Sequence, residues 1–251
     1  MQTPALPGFA NSRDLGGIAT GAGSATAAGA IVRSNTPAEL TDDELRTALD
    51  YGFVRVLDLR SAAEVDSSPH PLNGSDGYRN LPLIDPRAEQ YRDADAEQTL
   101  ADIYRGSIVR NTSTIAEIMR AIADAPDGPI LICCAAGKDR TGMISAVLLE
   151  LAGASRPAIG ADYARTETCM RPLFDDELAA ADATSRQHRS DLQNSEADNV
   201  LGMLDHVLDR YGSVPGYLNS LGLTDEQVQW IRRRLSSGSP LRPRCGDGLQ
   251  R

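Results

Sequence analysis

The sequence predicts an α/β protein in which helices flank a central, mostly parallel sheet. Residues 130–133, ILIC, form a run of four apolar residues, which is typical of a strand buried on both faces. Residues 112–125 carry apolar side chains at helical spacing, and residues 141–153 predict a second helix. A helix, a buried strand and another helix in succession indicate layers of helices packed on a parallel sheet.

The chain before this unit predicts one further helix and two strands. Thr41 and Glu44 form a capping box at the start of the helix, and Gly52 can take the left-handed conformation that ends it. Residues 53–59, FVRVLDL, predict a strand. Residues 78–84, YRNLPLI, predict another, which the central proline places at or near a sheet edge because proline cannot donate to an inner ladder.

Two more helices are predicted toward the C-terminus. Residues 199–212, NVLGMLDHVLDRYG, have the pattern of an amphipathic helix that ends at Gly212. Residues 223–235 begin with a second capping box, formed by Thr224 and Gln227.

We expect a single domain over residues 1–235 and a flexible, polar tail over residues 236–251. Two regions are predicted to lie over one end of the domain. Residues 85–105 are acidic and polar, and residues 161–200 are expected to form helices. Either region can act as a lid that excludes water from a site at the carboxyl end of the strand at 130–133.

Charge and composition exclude several classes of function. The chain has 25 Lys and Arg residues against 35 Asp and Glu residues, a net charge of -10. This balance argues against nucleic-acid binding and against stable membrane association. No segment approaches the roughly 20 apolar residues of a membrane span, and the first residues lack the pattern of a signal peptide. We therefore expect a cytoplasmic protein.

The four cysteines are sparse and irregularly spaced. They fit neither a disulfide framework nor the spacing of a zinc site. We expect them to stay reduced and predict no metal site.

Residues 134–142, CAAGKDRTG, carry the groups of a phosphate-binding loop. A loop between a buried strand and a helix gathers backbone N–H groups near the positive end of the helix, where an anion binds. Arg140 adds a planar fork that can hold two phosphate oxygens. The predicted substrate contacts are Ala135, Ala136, Gly137, Lys138 and Thr141.

Cys134, at the start of this loop, is predicted to be a nucleophile. A free thiol is only about 3% ionised at pH 7, whereas cationic surroundings and helix N-termini lower the pKa of a thiol to roughly 3.5–7.5. Attack of the thiolate on phosphorus forms a phosphocysteine, which water then hydrolyses. The loop amides and Arg140 stabilise the charge, so neither a metal nor another cofactor is needed. Thr141 can donate a hydrogen bond to the sulfur.

The loop resembles the CX5R loop of the protein tyrosine phosphatase superfamily. The Lys-Asp pair before Arg140 is similar to bacterial members with mixed phosphotyrosine and phosphoinositide activity. Further segments resemble family landmarks in the same order: NSRDLGG at 11–17, IVRSNTPAEL at 31–40, VLDLRSAAE at 56–64, DY at 162–163 and YGSVPGYLNSLGLT at 211–224. The resemblance implies a phosphatase that acts on phosphotyrosine or phosphoinositides.

Departure of the substrate oxygen requires an acid, for which the sequence offers two candidates. Asp139 resembles the loop aspartate that the family uses in catalysis, but it can also serve only to orient its neighbours. Asp85 follows a predicted strand, where many members of the superfamily carry an acid, but it can also be a turn residue. Lys138 is expected to bind a second anionic group of the substrate or to remain solvated.

One position departs from the family pattern. The family usually has a histidine before the nucleophile, and this chain has Cys133. Two alternatives remain open besides a tyrosine or lipid phosphatase. One is a phosphatase of small metabolites such as sugar phosphates or nucleotides. The other, which Cys133 keeps open, is a phosphate-binding module without efficient turnover.

Overall fold

The computed structural model describes residues 5–21 and 23–236. Their strands form one five-stranded sheet in the order β1-β2-β5-β3-β4. The strands are β1 (Arg13–Asp14), β2 (Ile31–Asn35), β3 (Arg55–Asp58), β4 (Tyr78–Asn80) and β5 (Ile130–Cys134). Only the β1–β2 pair is antiparallel, which confirms the predicted mostly parallel sheet.

Helices cover both faces of the sheet. Leu131 of β5 packs with Ala48 on one face, and Ile132 packs with a larger group of helices on the other. In chain order the helices are α1 (Asp42–Asp50), α2 (Ala62–Ser67), α3 (Pro86–Glu89), α4 (Leu100–Arg110), α5 (Thr112–Ala123), α6 (Asp139–Leu151), α7 (Arg156–Ala180), α8 (Ala183–Gln193), α9 (Ala197–Tyr211), α10 (Val214–Ser220) and α11 (Asp225–Arg234).

The middle strand, β5, places the candidate site. All five of its residues are buried, as the apolar run predicts. It pairs in parallel with β2 and β3, so Cys134 lies opposite Asn35, and Cys133 lies opposite Asp58. The carboxyl ends of three neighbouring strands therefore meet at one edge of the sheet, where loops can converge on a ligand.

The predicted helix boundaries are confirmed where local signals mark them. Both capping boxes form, at Thr41–Glu44 and at Thr224–Gln227. Gly52 and Gly212 have φ angles of 75° and 74°, in the left-handed region that favours glycine.

Two regions differ from their predicted form. The strand predicted at 78–84 is limited to Tyr78–Asn80, although it lies at the sheet edge as expected. The region 85–105, predicted as a solvated lid, contains α3 and the first half of α4. Tyr104 in α4 is buried in the core, so the α4 part of this region is a packed element of the domain.

The predicted helices over 161–200 are present as the greater part of α7, all of α8 and the start of α9. Among the described residues, no helix has the length and apolar character needed to cross a membrane. The predicted tail, apart from Ser236, lies outside the described residues.

Candidate active site

In the loop from Cys134 to Arg140, the carbonyl oxygens of residues 134–138 accept hydrogen bonds from donors outside the loop. The bonds are Thr36 N to Cys134 O at 2.9 Å and to Ala135 O at 3.1 Å, Asn11 Nδ2 to Ala136 O at 2.8 Å, Arg33 Nη2 to Gly137 O at 2.7 Å and Gly142 N to Lys138 O at 2.8 Å. By contrast, the N–H groups of Ala135, Ala136 and Gly137 have no acceptor within the described residues. The loop thus has the polarity of an anion site.

Gly137 is required at the turn of this loop for two reasons. Its φ angle is 65°, which a residue with a Cβ rarely adopts. A Cβ at this position would also lie 2.5 Å from the backbone of Ser34 and Asn35. The absence of a side chain therefore lets the loop lie directly against the end of β2.

Arg140 is held by a two-point bond to Glu64. Nη1 and Nη2 donate to the two carboxylate oxygens at 2.7 and 2.8 Å. Glu64 also closes a capping box with Ser61 at the start of α2, so its own position is fixed. The hydrogen bond from Arg140 lowers the pKa of Glu64 to about 2. Two of the five N–H donors of Arg140 are used here, and three are left for a ligand.

A buried cluster behind the loop joins three elements. Asp162 of α7 accepts from Arg13 Nε at 2.7 Å and from Arg33 Nη1 at 2.6 Å. Burial acts to raise the pKa of Asp162, but the two guanidinium groups outweigh it and hold the pKa at about 2. Arg33 bonds Gly137 O, and Arg13 bonds the Asn11 side chain that holds Ala136 O. The carboxylate thus orients two loop carbonyls through two arginines.

Asp139 is the first residue of α6 and has a partly exposed side chain. Its Oδ1 accepts from Tyr104 Oη at 2.5 Å and lies 3.0 Å from Lys138 Nζ. The Tyr104 and Tyr163 hydroxyls are 2.7 Å apart. A carboxyl group at the rim of the loop is thus anchored through one of its two oxygens.

Comparison with known proteins agrees with this arrangement. A family model described as "Tyrosine phosphatase family" matches residues 4–237. The chain belongs to the tyrosine phosphatase family. It is a phosphatase, and its substrates therefore carry phosphate groups.

Two bacterial relatives illustrate the extent of the similarity. A tyrosine-protein phosphatase of Nostoc commune is 28% identical over 219 residues, which cover 83% of this chain and 74% of the relative. The triple specificity protein phosphatase PtpB of Mycobacterium tuberculosis is 29% identical over 287 aligned positions, covering 92% of this chain and 98% of the relative. The similarity therefore extends well beyond the loop.

The phosphatase brings most of the predicted site residues into one loop. Cys134 ends β5, and residues 135–138 connect it to α6, which carries Arg140 and Thr141. Thr141 is fully buried, and its Oγ1 makes no hydrogen bond within the described residues. The bond from Thr141 to the sulfur therefore stays a prediction.

The two predicted acids have different surroundings. Asp139 lies in the loop–helix junction, whereas Asp85 is the N-cap of α3, where its Oδ1 accepts from Arg87 N at 2.9 Å. Asp85 N in turn donates to Asn111 Oδ1 at 2.8 Å. These contacts tie Asp85 to the α3–α4 region, and none of them reaches the described loop.

Lys138 is buried beneath the C-terminal end of α8. Its Nζ donates to Leu192 O at 2.6 Å and to Asn194 O at 2.9 Å, besides its contact with Asp139. An ammonium group has three N–H donors, so these three contacts use all of them. In this conformation Lys138 holds α8 against the loop.

Cys133 lies on the other face of β5 from Cys134. Its Sγ is 3.6 Å from Leu57 O, and burial raises the pKa of its thiol well above the usual range. Both thiols are free. Cys133 is thus a buried, neutral side chain.

Three residues that contact the loop or Asp139 have no role predicted from the sequence: Asn11, Arg33 and Tyr104. Arg33 and Asn11 lie in segments that resemble family landmarks, which was the available signal. The sequence signal for Tyr104 is weaker. Thr99 and Asp102 form a capping box that marks the start of its helix, α4, but not the contact with Asp139.

We predict that Gly137→Ala disrupts the loop, because the new Cβ meets the backbone of β2. Gly212→Ala is the matched control, since Gly212 has a similar φ of 74° but nothing within 4 Å of the added Cβ. The control should lose about 1–2 kcal/mol from its left-handed backbone alone. Urea unfolding should show a larger loss for Gly137→Ala, together with lost vanadate binding. Equal effects of the two changes would contradict the collision with β2.

We predict that Glu64→Gln lowers kcat/KM about 10-fold, because Arg140 loses its charged two-point partner. Glu44→Gln is the control, since Glu44 closes the equivalent capping box of α1 with Thr41. It should leave kcat/KM unchanged. The depressed pKa of Glu64 means that its stabilising pair is present above about pH 4.3, the pKa of an unfolded glutamate, and is lost as the pH falls toward 2. Equal activity of both variants would argue against a positioning role for Glu64.

Proposed function

We propose that the protein hydrolyses phosphate monoesters through a phosphocysteine formed at Cys134. The observation that carries this proposal is the polarity of the loop, whose carbonyls bond outward while three N–H groups remain without acceptors in the described structure. Negative charge that develops on the phosphoryl oxygens in the transition state has these donors and Arg140 to stabilise it. A donor set that is already oriented costs little reorganisation during the reaction.

The reaction has two displacements. Cys134 Sγ attacks phosphorus, the bond from phosphorus to the ester oxygen breaks, and an acid protonates the departing oxygen. Water then attacks the phosphocysteine, the P–S bond breaks, and the same residue, now a base, takes a proton from the water. Inorganic phosphate leaves, and the thiolate is restored.

Asp139 is the acid that the geometry favours. It lies at the junction of the loop and α6, and its side chain is 44% exposed. Asp85 remains the alternative, but its carboxylate already caps α3. A residue that caps a helix uses an oxygen to accept a backbone N–H, which leaves it less free to reach a substrate.

We predict that Cys134→Ser abolishes phosphate release while vanadate binding is retained, because the loop donors stay in place and only the nucleophile is lost. Arg140→Lys should also lose most activity, because an ammonium group cannot form the planar fork. Phosphate release is measured with chelator and reductant present. Cys169→Ser, at a half-buried free cysteine in α7, is the control and should keep full activity. Wild-type turnover by Cys134→Ser would end the phosphocysteine proposal.

The proposed substrates are phosphotyrosine residues and phosphoinositides. The family supports the first, and the name of the mycobacterial relative, a triple specificity phosphatase, supports a broad range. A second anionic group on the substrate requires Lys138 to exchange its bonds to Leu192 O and Asn194 O for bonds to that group. Small phosphorylated metabolites are the alternative substrates.

The proposal places this reaction in the cytoplasm, without nucleic-acid or stable membrane binding. These parts of the proposal rest on the net charge of -10 and on the lack of an apolar segment of the roughly 20 residues that a membrane span needs.

A substrate panel tests this choice. We predict faster phosphate release from a phosphotyrosine peptide and a soluble short-chain phosphoinositide than from a phosphoserine peptide, sugar phosphates or nucleoside monophosphates. Lys138→Met should reduce release from the phosphoinositide more than release from the peptide, because only the former carries further phosphates. A preference for sugar phosphates or nucleotides would support the metabolite alternative. Vanadate binding without release from any of these compounds would contradict the proposed substrate classes.

A further inference from the structure

We propose that Tyr104, supported by Tyr163, is a positioning residue that selects Oδ2 of Asp139 as the oxygen that exchanges a proton with the substrate. The inference rests on the proposed role of Asp139 as the acid. Its basis is a chain of buried hydroxyl groups that ends on the other carboxyl oxygen, Oδ1.

The direction of this hydrogen-bond chain follows from the count of protons. An ionised carboxylate can only accept, so the Tyr104 hydroxyl donates its single hydrogen to Asp139 Oδ1. The 2.7 Å bond between the two hydroxyls must then be donated by Tyr163. The chain therefore runs from Tyr163 through Tyr104 to Asp139.

The surroundings keep both hydroxyls as donors. Tyr104 and Tyr163 are almost completely buried, and burial raises the pKa of each phenol above its usual value. Their rings meet edge to face, with centroids 6.2 Å apart. Gly142 leaves room for the Tyr163 ring, because a Cβ at position 142 would lie 2.9 Å from that ring. The two phenols are thus held in place by packing as well as by hydrogen bonds.

The two oxygens of Asp139 consequently differ. Oδ1 has two donors, the Tyr104 hydroxyl and the Lys138 ammonium group. Oδ2 makes no hydrogen bond within the described residues, so it is the oxygen free to carry a proton. In the first displacement the proton on Oδ2 moves to the departing oxygen as the P–O bond breaks. In the second, Oδ2 takes a proton from the attacking water while Tyr104 and Lys138 stay on Oδ1.

The test compares Tyr104→Phe with Tyr217→Phe on two aryl phosphates. Tyr217 is the control because it is also a buried phenol bonded to α4, through Ile108 O at 2.7 Å, but it does not contact Asp139. Phenyl phosphate has a poor leaving group that needs an acid, and 2,4-dinitrophenyl phosphate has a good one that does not.

We expect Tyr104→Phe to lower kcat/KM for phenyl phosphate about 10-fold and to change that for the dinitrophenyl ester less than about 2-fold. Tyr217→Phe should treat both esters alike. A merely structural role for Tyr104 would lower both rates equally, and that result would overturn the inference. If Tyr104→Phe does not fold, as judged by thermal unfolding, Tyr163→Phe provides the same comparison with a smaller expected selectivity.

A double-mutant cycle separates this inference from the proposed function. In the Asp139→Asn background the Tyr104→Phe change should have little further effect on phenyl phosphate, because the group it positions is gone. An undiminished effect in that background overturns the positioning role. If Asp85→Asn rather than Asp139→Asn shows the leaving-group dependence, the assignment of the acid fails, and this inference fails with it. Activity retained by Cys134→Ser would contradict the phosphocysteine mechanism itself.

Discussion

The structure of the site depends on the ion pairs between Asp162 and the two arginines of β1 and β2. A buried ion pair often adds little to stability, because the loss of hydration offsets the Coulomb attraction. Its value here is orientation. The carboxylate fixes Arg33 and Arg13, and these arginines place donors on the carbonyls of Gly137 and, through Asn11, of Ala136. Because its carbonyls are bonded to these donors, the loop presents N–H groups rather than carbonyl oxygens to an anion. Two cations against one anion also leave a net positive charge behind the loop.

A second set of contacts fixes the opposite side of the loop by local means. Asp58 at the end of β3 forms a buried ion pair with Arg60, and the chain then enters α2 through the Ser61 capping box. Glu64 is the third residue of that helix, so the same carboxylate caps the helix and binds Arg140. A helix of six residues has little stability by itself. The end of β3, the Ser61 capping box and Arg140 therefore stabilise one another. Through Glu64, the position of the Arg140 guanidinium is tied to the sheet.

The sequence was sufficient where the determining forces are local. The apolar run of β5 and the capping boxes of α1 and α11 act within a few residues, and they are present as predicted. The strand β2 was not predicted, because its buried residues Arg33 and Asn35 are polar and hide the apolar pattern. Their partners lie far away in sequence, 129 residues for Arg33 and Asp162. The role of Tyr104 was likewise not predicted, because its partner Asp139 lies 35 residues away in sequence. Such pairings become visible only when tertiary structure brings the elements together.

The replacement of the family histidine by Cys133 can be judged from the same contacts. The backbone of Cys133 takes part in the order of the loop, since its carbonyl accepts from Leu59 N, but its side chain lies on the other face of the sheet, near Asp58. The bonds that orient the loop carbonyls come from backbone N–H groups, Asn11 and Arg33, and none of them uses the side chain at position 133. A cysteine there removes a titratable ring while leaving these bonds intact. The loop therefore keeps the oriented donors that a transition state requires, which favours a working enzyme over a binding module.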